Sequence, residues 1–270
     1  MSRETISNNP EAAVVDEAPR EPNPKRTDSV RIRILDRPVN VLSMEHAVAA
    51  VRRAWESEKV SQVVTANVEM LYTSLQDLNL ARILEEAELV TADGAGVLLA
   101  ARISGTPLPE RVAGFDLMLA CLQEAAREGV PVFFLGARPE VLQEALLRIR
   151  ERFPSLCIAG SHHGYFKEEE GEAIVAQIRA RRPQMLFVAL GAPRQEDWIY
   201  RYKKGLPPCV AIGVGGSLDV LAGKARRAPR WMQRAGLEWF YRLLREPSRL
   251  GRMSVIPLFL IKVAWERLFK

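Results

Sequence analysis

Several polar residues stand where short apolar runs end. Thr65 and Asn67 follow the β-branched run 60–65, Asp93 follows Leu89–Ala92, and Gly136 follows the run 131–135. Gly191-Ala-Pro-Arg-Gln195-Glu196 follows the run 185–190, and Gly213 to Asp219 closes the run that begins at Cys209. If these runs are parallel strands, the polar residues gather at the carboxyl edge of one sheet, where open α/β sheets hold their ligands. Asp93 is the most informative of them. A carboxylate there could take the proton of a substrate hydroxyl as general base. Its blander reading, which the residues alone favour, is the cap of a helix beginning at Gly94, because Asp is preferred at N-caps. Gly136-Ala-Arg-Pro139 sets a glycine before a helix with proline in its first turn, and free N–H groups at such an end can hold a phosphate. Neither G-x-G-x-x-G nor G-K-[ST] is present, so no dinucleotide fingerprint or P-loop exists. His162-His163 has no Asp, Glu or Cys at ligand spacing, which makes it a loop or strand-end pair rather than a metal site. No G-x-S-x-G occurs, and nothing resembles Ser-His-Asp or Cys-His chemistry.

The elements that must position these residues alternate along the chain. Helical spacing is expected over 68–88, with Leu71, Leu75, Leu78 and Leu84 among the apolar positions, then over Ala95–Ile103, 115–127, 140–152 and 168–181. A further helix is expected from near Pro193, and strands at 156–159 and 209–214 complete the series. Alternating βα units of this length predict a Rossmann-like α/β fold, a doubly wound, mostly parallel sheet with helices on both faces. Residues 1–28, with Pro10, Pro19, Pro22 and Pro24 and few large apolar residues, read as a disordered arm. The globular domain is expected over 29–222 and a basic, amphipathic C-terminal helical appendage over 223–270. Within the appendage, 231–245 reads as a helix stopped by Glu246-Pro247. The segment 255–270 mixes Ile256, Leu258, Phe259, Leu260, Ile261, Trp265, Leu268 and Phe269 with Lys262, Arg267 and Lys270. It reads either as a helix packed on the core or as an interfacial segment on anionic lipid.

Composition narrows the function classes. The chain has 270 residues, 48% hydrophobic and 26% charged, values of a globular protein with a real core. Its longest charge-free stretch, 205–218, is too short to span a bilayer and is interrupted by Gly and Pro. No apolar N-terminal core precedes a cleavage site, which predicts that the chain is not secreted. Cys121, Cys157 and Cys209 are scattered and odd in number, fitting a reducing cytosol rather than a disulfide framework. The net charge of +5 conceals an asymmetry: 222–270 holds 12 Lys/Arg and 3 Glu, whereas the rest holds 26 basic and 30 acidic residues. A basic end on a near-neutral body predicts an anionic partner, such as ligand phosphates, anionic lipid or nucleic acid.

Eight segments in order resemble one family, the WecG/TagA/CpsF glycosyltransferases (glycosyltransferase family 26). They are Thr65-Ala-Asn67, Thr91-Ala-Asp-Gly94, Glu110-Arg-Val-Ala-Gly-Phe-Asp116, Gly164-Tyr-Phe166, Gly191-Ala-Pro-Arg-Gln-Glu196, Gly213-Val-Gly-Gly216, Arg227-Ala-Pro229 and Gly236-Leu-Glu-Trp-Phe-Tyr-Arg242. Each is weak alone, but eight in sequence is a strong signal. The resemblance implies inverting, metal-independent and cofactor-free transfer of a hexose, of the N-acetylmannosamine type or related, from a UDP-sugar. The implied acceptor is linked to undecaprenyl diphosphate, in cell-surface polysaccharide or teichoic acid synthesis. It further implies a chain working in the cytoplasm as a peripheral protein on the anionic inner face of the cell membrane, without nucleic acid and with homo-oligomers possible. Asp93 resembles the family's proposed base. Thr65 and Asn67 resemble sugar-pocket residues, Arg111 and Gln195 binding residues of the same cleft, and Arg242, Arg249 and Arg252 arginines that close over the UDP diphosphate. An arginine-based site makes chemical sense, because a departing diphosphate needs cations and arginine offers a bidentate fork.

Two rival readings are weaker. A nucleotide-dependent oxidoreductase fits the fold but lacks the glycine fingerprint. A basic membrane or nucleic-acid adaptor explains the C-terminal charge and leaves the strand-end polar cluster without a purpose.

Overall fold

The computed structural model describes residues 30–245 and 250–269. The expected arm over 1–28 and Arg249 lie outside them, as do the side chains of Arg242 and Arg252. Two short strands, β1 (Arg31–Ile34) and β2 (Arg37–Asn40), form an antiparallel hairpin that precedes α1 (Met44–Trp55). The main sheet has six strands, β3 (Ser61–Ala66), β4 (Leu89–Ala92), β5 (Val132–Gly136), β6 (Ile158–His162), β7 (Met185–Ala189) and β8 (Val210–Gly213). They lie in the order β4-β3-β8-β7-β5-β6, and every pairing is parallel. A parallel sheet must be covered on both faces, and β3, β4, β5, β7 and β8 are buried along their whole length.

The connecting helices are α2 (Val68–Thr73), α3 (Leu78–Glu86), α4 (Ala95–Ile103), α5 (Gly114–Glu128), α6 (Pro139–Arg152), α7 (Gly171–Arg181), α8 (Arg194–Tyr202) and α9 (Ser217–Leu221). Alternate strand residues serve opposite faces, as the pleat requires. Val63, Phe134, Phe187 and Ile212 pack with α1, α5, α6 and α9. Val64, Ala66 and Val90 pack with α2, α3 and α4, while Phe133, Leu186 and Ala211 pack with α7 and α8. The chain therefore leaves β3 toward one face and β8 toward the other. These neighbouring strands form the switch point, where a crevice opens beyond the carboxyl ends.

Two expected helices are split. The helix expected over 68–88 breaks into α2 and α3, because Asp77 accepts the Leu80 N–H at 3.0 Å and starts a new helix. The helix expected over 231–245 becomes α10 (Arg230–Arg234) and α11 (Glu238–Arg245), with Gly236 between them at φ +73°. The chain ends in α12 (Leu250–Met253) and α13 (Val255–Phe269). Helix α13 packs on α2 and α4, with Phe259 and Val263 completely buried in their cluster. At roughly 1.5–3 kcal/mol per buried side chain, this segment is part of the core. Of the two readings of 255–270, packing on the core describes one face of α13. The other face leaves Leu258, Ile261, Trp265, Leu268 and Phe269 exposed.

Candidate active site

Beyond β3 and β8 lies a cleft of about 550 Å³, lined among others by Thr65, Asn67, Asp93, Gln195, Ser217 and Arg227. A second lobe of about 760 Å³, beyond β5 and β7, contains Arg138, Tyr165 and Arg194. The lobes share Gly191, Gly215, Gly216, Asp219 and Lys224, so they form one continuous groove along the carboxyl edge.

Asp93 extends β4 by one residue, its N–H bonded to Ala66 O at 2.8 Å. It does not cap α4. The cap is Gly94, at φ 114° and without a side-chain bond. Instead, Asp93 Oδ2 accepts the Gly114 N–H at 3.2 Å, at the start of α5. The loop before α5 is itself tied to β4, with Val112 N–H bonded to Ala92 O at 3.0 Å. The positive end of α5 thus meets the Asp93 carboxylate. Thr65 is buried, donates to Gly213 O at 3.2 Å, and packs on Gly114, where a Cβ would stand 2.9 Å from the Thr65 hydroxyl. Glycine at 114 is what lets α5 approach β3 this closely. Asn67 caps α2, its Oδ1 accepting the Met70 N–H at 2.9 Å, which leaves the amide NH₂ as the half unused by the cap.

Gln195 is fixed from two sides. Its Oε1 accepts the Gly215 N–H at 2.9 Å and its Nε2 donates to Glu196 Oε1 at 2.7 Å. Glu196 is wholly buried, with Oε2 lacking a hydrogen-bond partner. Burial pushes its carboxyl up to about 7, against the opposing hydrogen bond from Gln195. Gly213 makes room for the pair, since a Cβ there would sit 2.6 Å from both side chains.

The remaining expected residues stand elsewhere. Gly136 lines neither lobe. It has φ +135°, and a Cβ would meet Ala189 O at 2.3 Å, so glycine is required by the close approach of β5 and β7. The next N–H, that of Ala137, bonds to Ala189 O at 3.0 Å; the neighbouring Ala137 and Arg138 do line the second lobe. Arg111 is not among the cleft's lining residues either. Its Nη1 donates to Glu238 Oε2 at 2.9 Å, tying the loop before α5 to α11. Arg242 falls in α11 and Arg252 in α12.

Sequence reasoning did not single out Arg227 as a cleft residue. It donates to both carboxylate oxygens of Asp116 at 2.6 and 2.9 Å and lies over the Phe115 ring at 4.8 Å. Burial works against its charge, but the Asp116 bond and the charges of Asp116, Glu238 and Asp93 outweigh that and raise its pKa. It interacts electrostatically with Asp93, and Lys224 and Arg226 line the same cleft. Its appearance in Arg227-Ala-Pro229 was the available signal. Among the described residues no group of three His, Cys, Asp or Glu could hold a metal ion, and no helix is long and apolar enough to cross a membrane.

Known proteins bear on this geometry. The chain is 39% identical over 208 residues to a Bacillus spizizenii protein named N-acetylglucosaminyldiphosphoundecaprenol N-acetyl-beta-D-mannosaminyltransferase, covering 77% of this chain and 80% of the relative. It is 36% identical over 210 residues to a Bacillus subtilis protein of the same name, covering 77% and 81%. A Staphylococcus aureus protein of that name is 33% identical over 242 residues, covering 89% and 94%. The model of the glycosyl transferase WecG/TagA/CpsF family matches residues 32–270, so the match takes in the appendage as well as the sheet. The chain therefore belongs to the WecG/TagA/CpsF family of glycosyltransferases.

Proposed function

We propose that this glycosyltransferase moves N-acetylmannosamine, or a related hexose, from its UDP conjugate to a sugar carried on a polyprenyl diphosphate. The names of its relatives supply the acceptor class and the sugar. The observation that carries the mechanism is Asp93, a half-buried carboxylate held at the cleft by the Gly114 N–H, in a cleft whose lining also includes Lys224, Arg226 and Arg227.

In this reading the acceptor hydroxyl oxygen attacks the anomeric carbon while Asp93 takes its proton. The bond from that carbon to the β-phosphate oxygen breaks on the opposite face, and UDP leaves with the electron pair. Attack opposite the leaving group inverts the anomeric centre. The charge developing on UDP is met by guanidinium and ammonium groups, which need no metal. The second lobe suits the nucleotide. Its exposed Tyr165 ring, anchored by Arg138 Nε to Oη at 3.2 Å, can stack on a base, and Arg138, Arg194 and Lys224 can meet phosphate. Thr65, Asn67 and Gln195 then surround the sugar in the first lobe.

The acceptor's lipid places the reaction at a membrane surface. The outer face of α13, with Leu258, Ile261 and Trp265 exposed beside Lys262 and Arg267, and the exposed Trp239, Phe240 and Leu244 of α11 fit the headgroup boundary of an anionic leaflet. The cytoplasmic leaflet, where UDP-sugars are made, is the natural side. One assay tests the whole reading: UDP-sugars are screened with a short-chain lipid-diphosphate N-acetylglucosamine acceptor, measuring UDP release and the configuration of the product. Acceptor-dependent UDP release giving a β-linked product from an α-linked donor is expected. UDP binding without turnover of any UDP-sugar would favour an adaptor and overturn the reading.

A further inference from the structure

Glu238, the first residue of α11, has a side chain only 13% exposed and is shared by two arginines. Its Oε2 accepts from Arg111 Nη1 at 2.9 Å, and its Oε1 lies 3.8 Å from Arg227 Nε. Arg227 in turn forks onto Asp116 and lies over Phe115. Charges therefore alternate along Arg111, Glu238, Arg227 and Asp116, two cations and two anions in partly buried surroundings. The network joins three pieces of chain: the loop before α5, the first turn of α5, and the appendage. Phe115 and Arg227 line the cleft, and Gly114, one residue before Phe115, donates to Asp93. Removing Glu238 would leave Arg111 without its carboxylate and take the intervening negative charge from between Arg111 and Arg227, while Arg227 kept its fork onto Asp116; a cation left unpaired in such a place is unfavourable.

We propose that Glu238 is a positioning residue, which holds Arg227 from the appendage against Phe115 and Asp116 and so sets the cleft wall beside Asp93. Arg111 belongs to the same device, acting on the cleft through Glu238. The proposal rests on the reading of Asp93 and this cleft as the place of transfer. It also gives the appendage a task at the site that depends on none of its outermost arginines.

A double-mutant cycle on the full chain tests it, with Glu238→Gln, Arg227→Lys and the pair. Melting temperature is read first. Turnover is read as UDP release from UDP-N-acetylmannosamine with the short-chain lipid-diphosphate acceptor. Glutamine keeps the shape and one acceptor oxygen but loses the charge, so kcat should fall about tenfold or more. The double variant should lose no more than about threefold beyond Arg227→Lys alone, because both act through one contact. Glu238→Asp should recover part of the loss. Multiplicative losses in the double variant, or unchanged kcat in Glu238→Gln, would overturn the proposal. If Glu238→Gln does not fold, Arg111→Lys takes its place in the same cycle with the same criteria. If the wild type turns over no UDP-sugar, the donor reading fails by itself. The melting temperatures then decide the bridge, non-additive shifts supporting it and additive shifts overturning it.

Discussion

Glu196 allows a prediction whose sign and size follow from its surroundings. It sits in the first turn of α8, wholly buried, with one carboxylate oxygen held by Gln195 and the other without a partner. Burial raises its pKa to about 7 from an ordinary 4.5. Between those values the folded chain keeps a proton that the unfolded chain has released. The associated stability is therefore complete below about pH 4.5 and lost as pH rises through about 7. Each unit of that window is worth about 1.4 kcal/mol, so roughly 2–3 kcal/mol should disappear between about pH 5 and 7. Glu196→Gln is nearly isosteric, can still accept from Gln195, and does not titrate. Any fixed penalty of the substitution is the same at every pH. The variant should therefore gain on the wild type as pH rises, by about 5–10 °C in melting temperature between about pH 5 and 8. Thermal melts or urea titrations of both proteins across that range measure it. Parallel curves would refute the argument and mean that Glu196 is charged and compensated in the fold.

Three further outcomes are expected. Gly136→Ala should destabilise the chain by about 3 kcal/mol or more, since it adds a Cβ against the Ala189 backbone at a left-handed φ; urea titration measures this. Phe259→Ala should cost about 3–5 kcal/mol of stability, whereas Trp265→Ala, on the exposed face of α13, should change stability by less than about 0.5 kcal/mol yet weaken binding to anionic vesicles in a sedimentation assay. Transfer should continue in excess EDTA, and strict dependence on added magnesium or manganese would remove the arginine-based account of the leaving group.

Much of the sheet is legible in the sequence because five of its strands are buried on both faces and appear as apolar runs. The β1–β2 hairpin is not. Its turn carries Leu35 and Asp36 at φ 48° and 60°, positions where Asn-Gly would have announced a hairpin. The break between α2 and α3 was readable in principle from Asp77, but the leucine spacing runs across it. At the site, Thr65, Asn67, Asp93 and Gln195 are brought together as their strand-end positions imply, because a parallel sheet collects those ends at one edge. The charge network was out of reach. Asp116 meets Arg227 across 111 residues and Arg111 meets Glu238 across 127, and no local pattern encodes such a pairing. The burial of Glu196 is hidden for a similar reason: its helix begins with Arg, Gln, Glu and Asp, and only the packing shows which of them faces inward.

In the proposed mechanism the role of Asp93 is to take the proton from the acceptor hydroxyl. Asp93→Asn isolates it, because asparagine can still accept the Gly114 N–H that holds the native carboxylate. Turnover with saturating UDP-N-acetylmannosamine and lipid-diphosphate acceptor should fall by roughly 10²–10⁴-fold, with UDP affinity and melting temperature nearly unchanged. Full activity in Asp93→Asn, or loss of the fold in its place, would contradict the account.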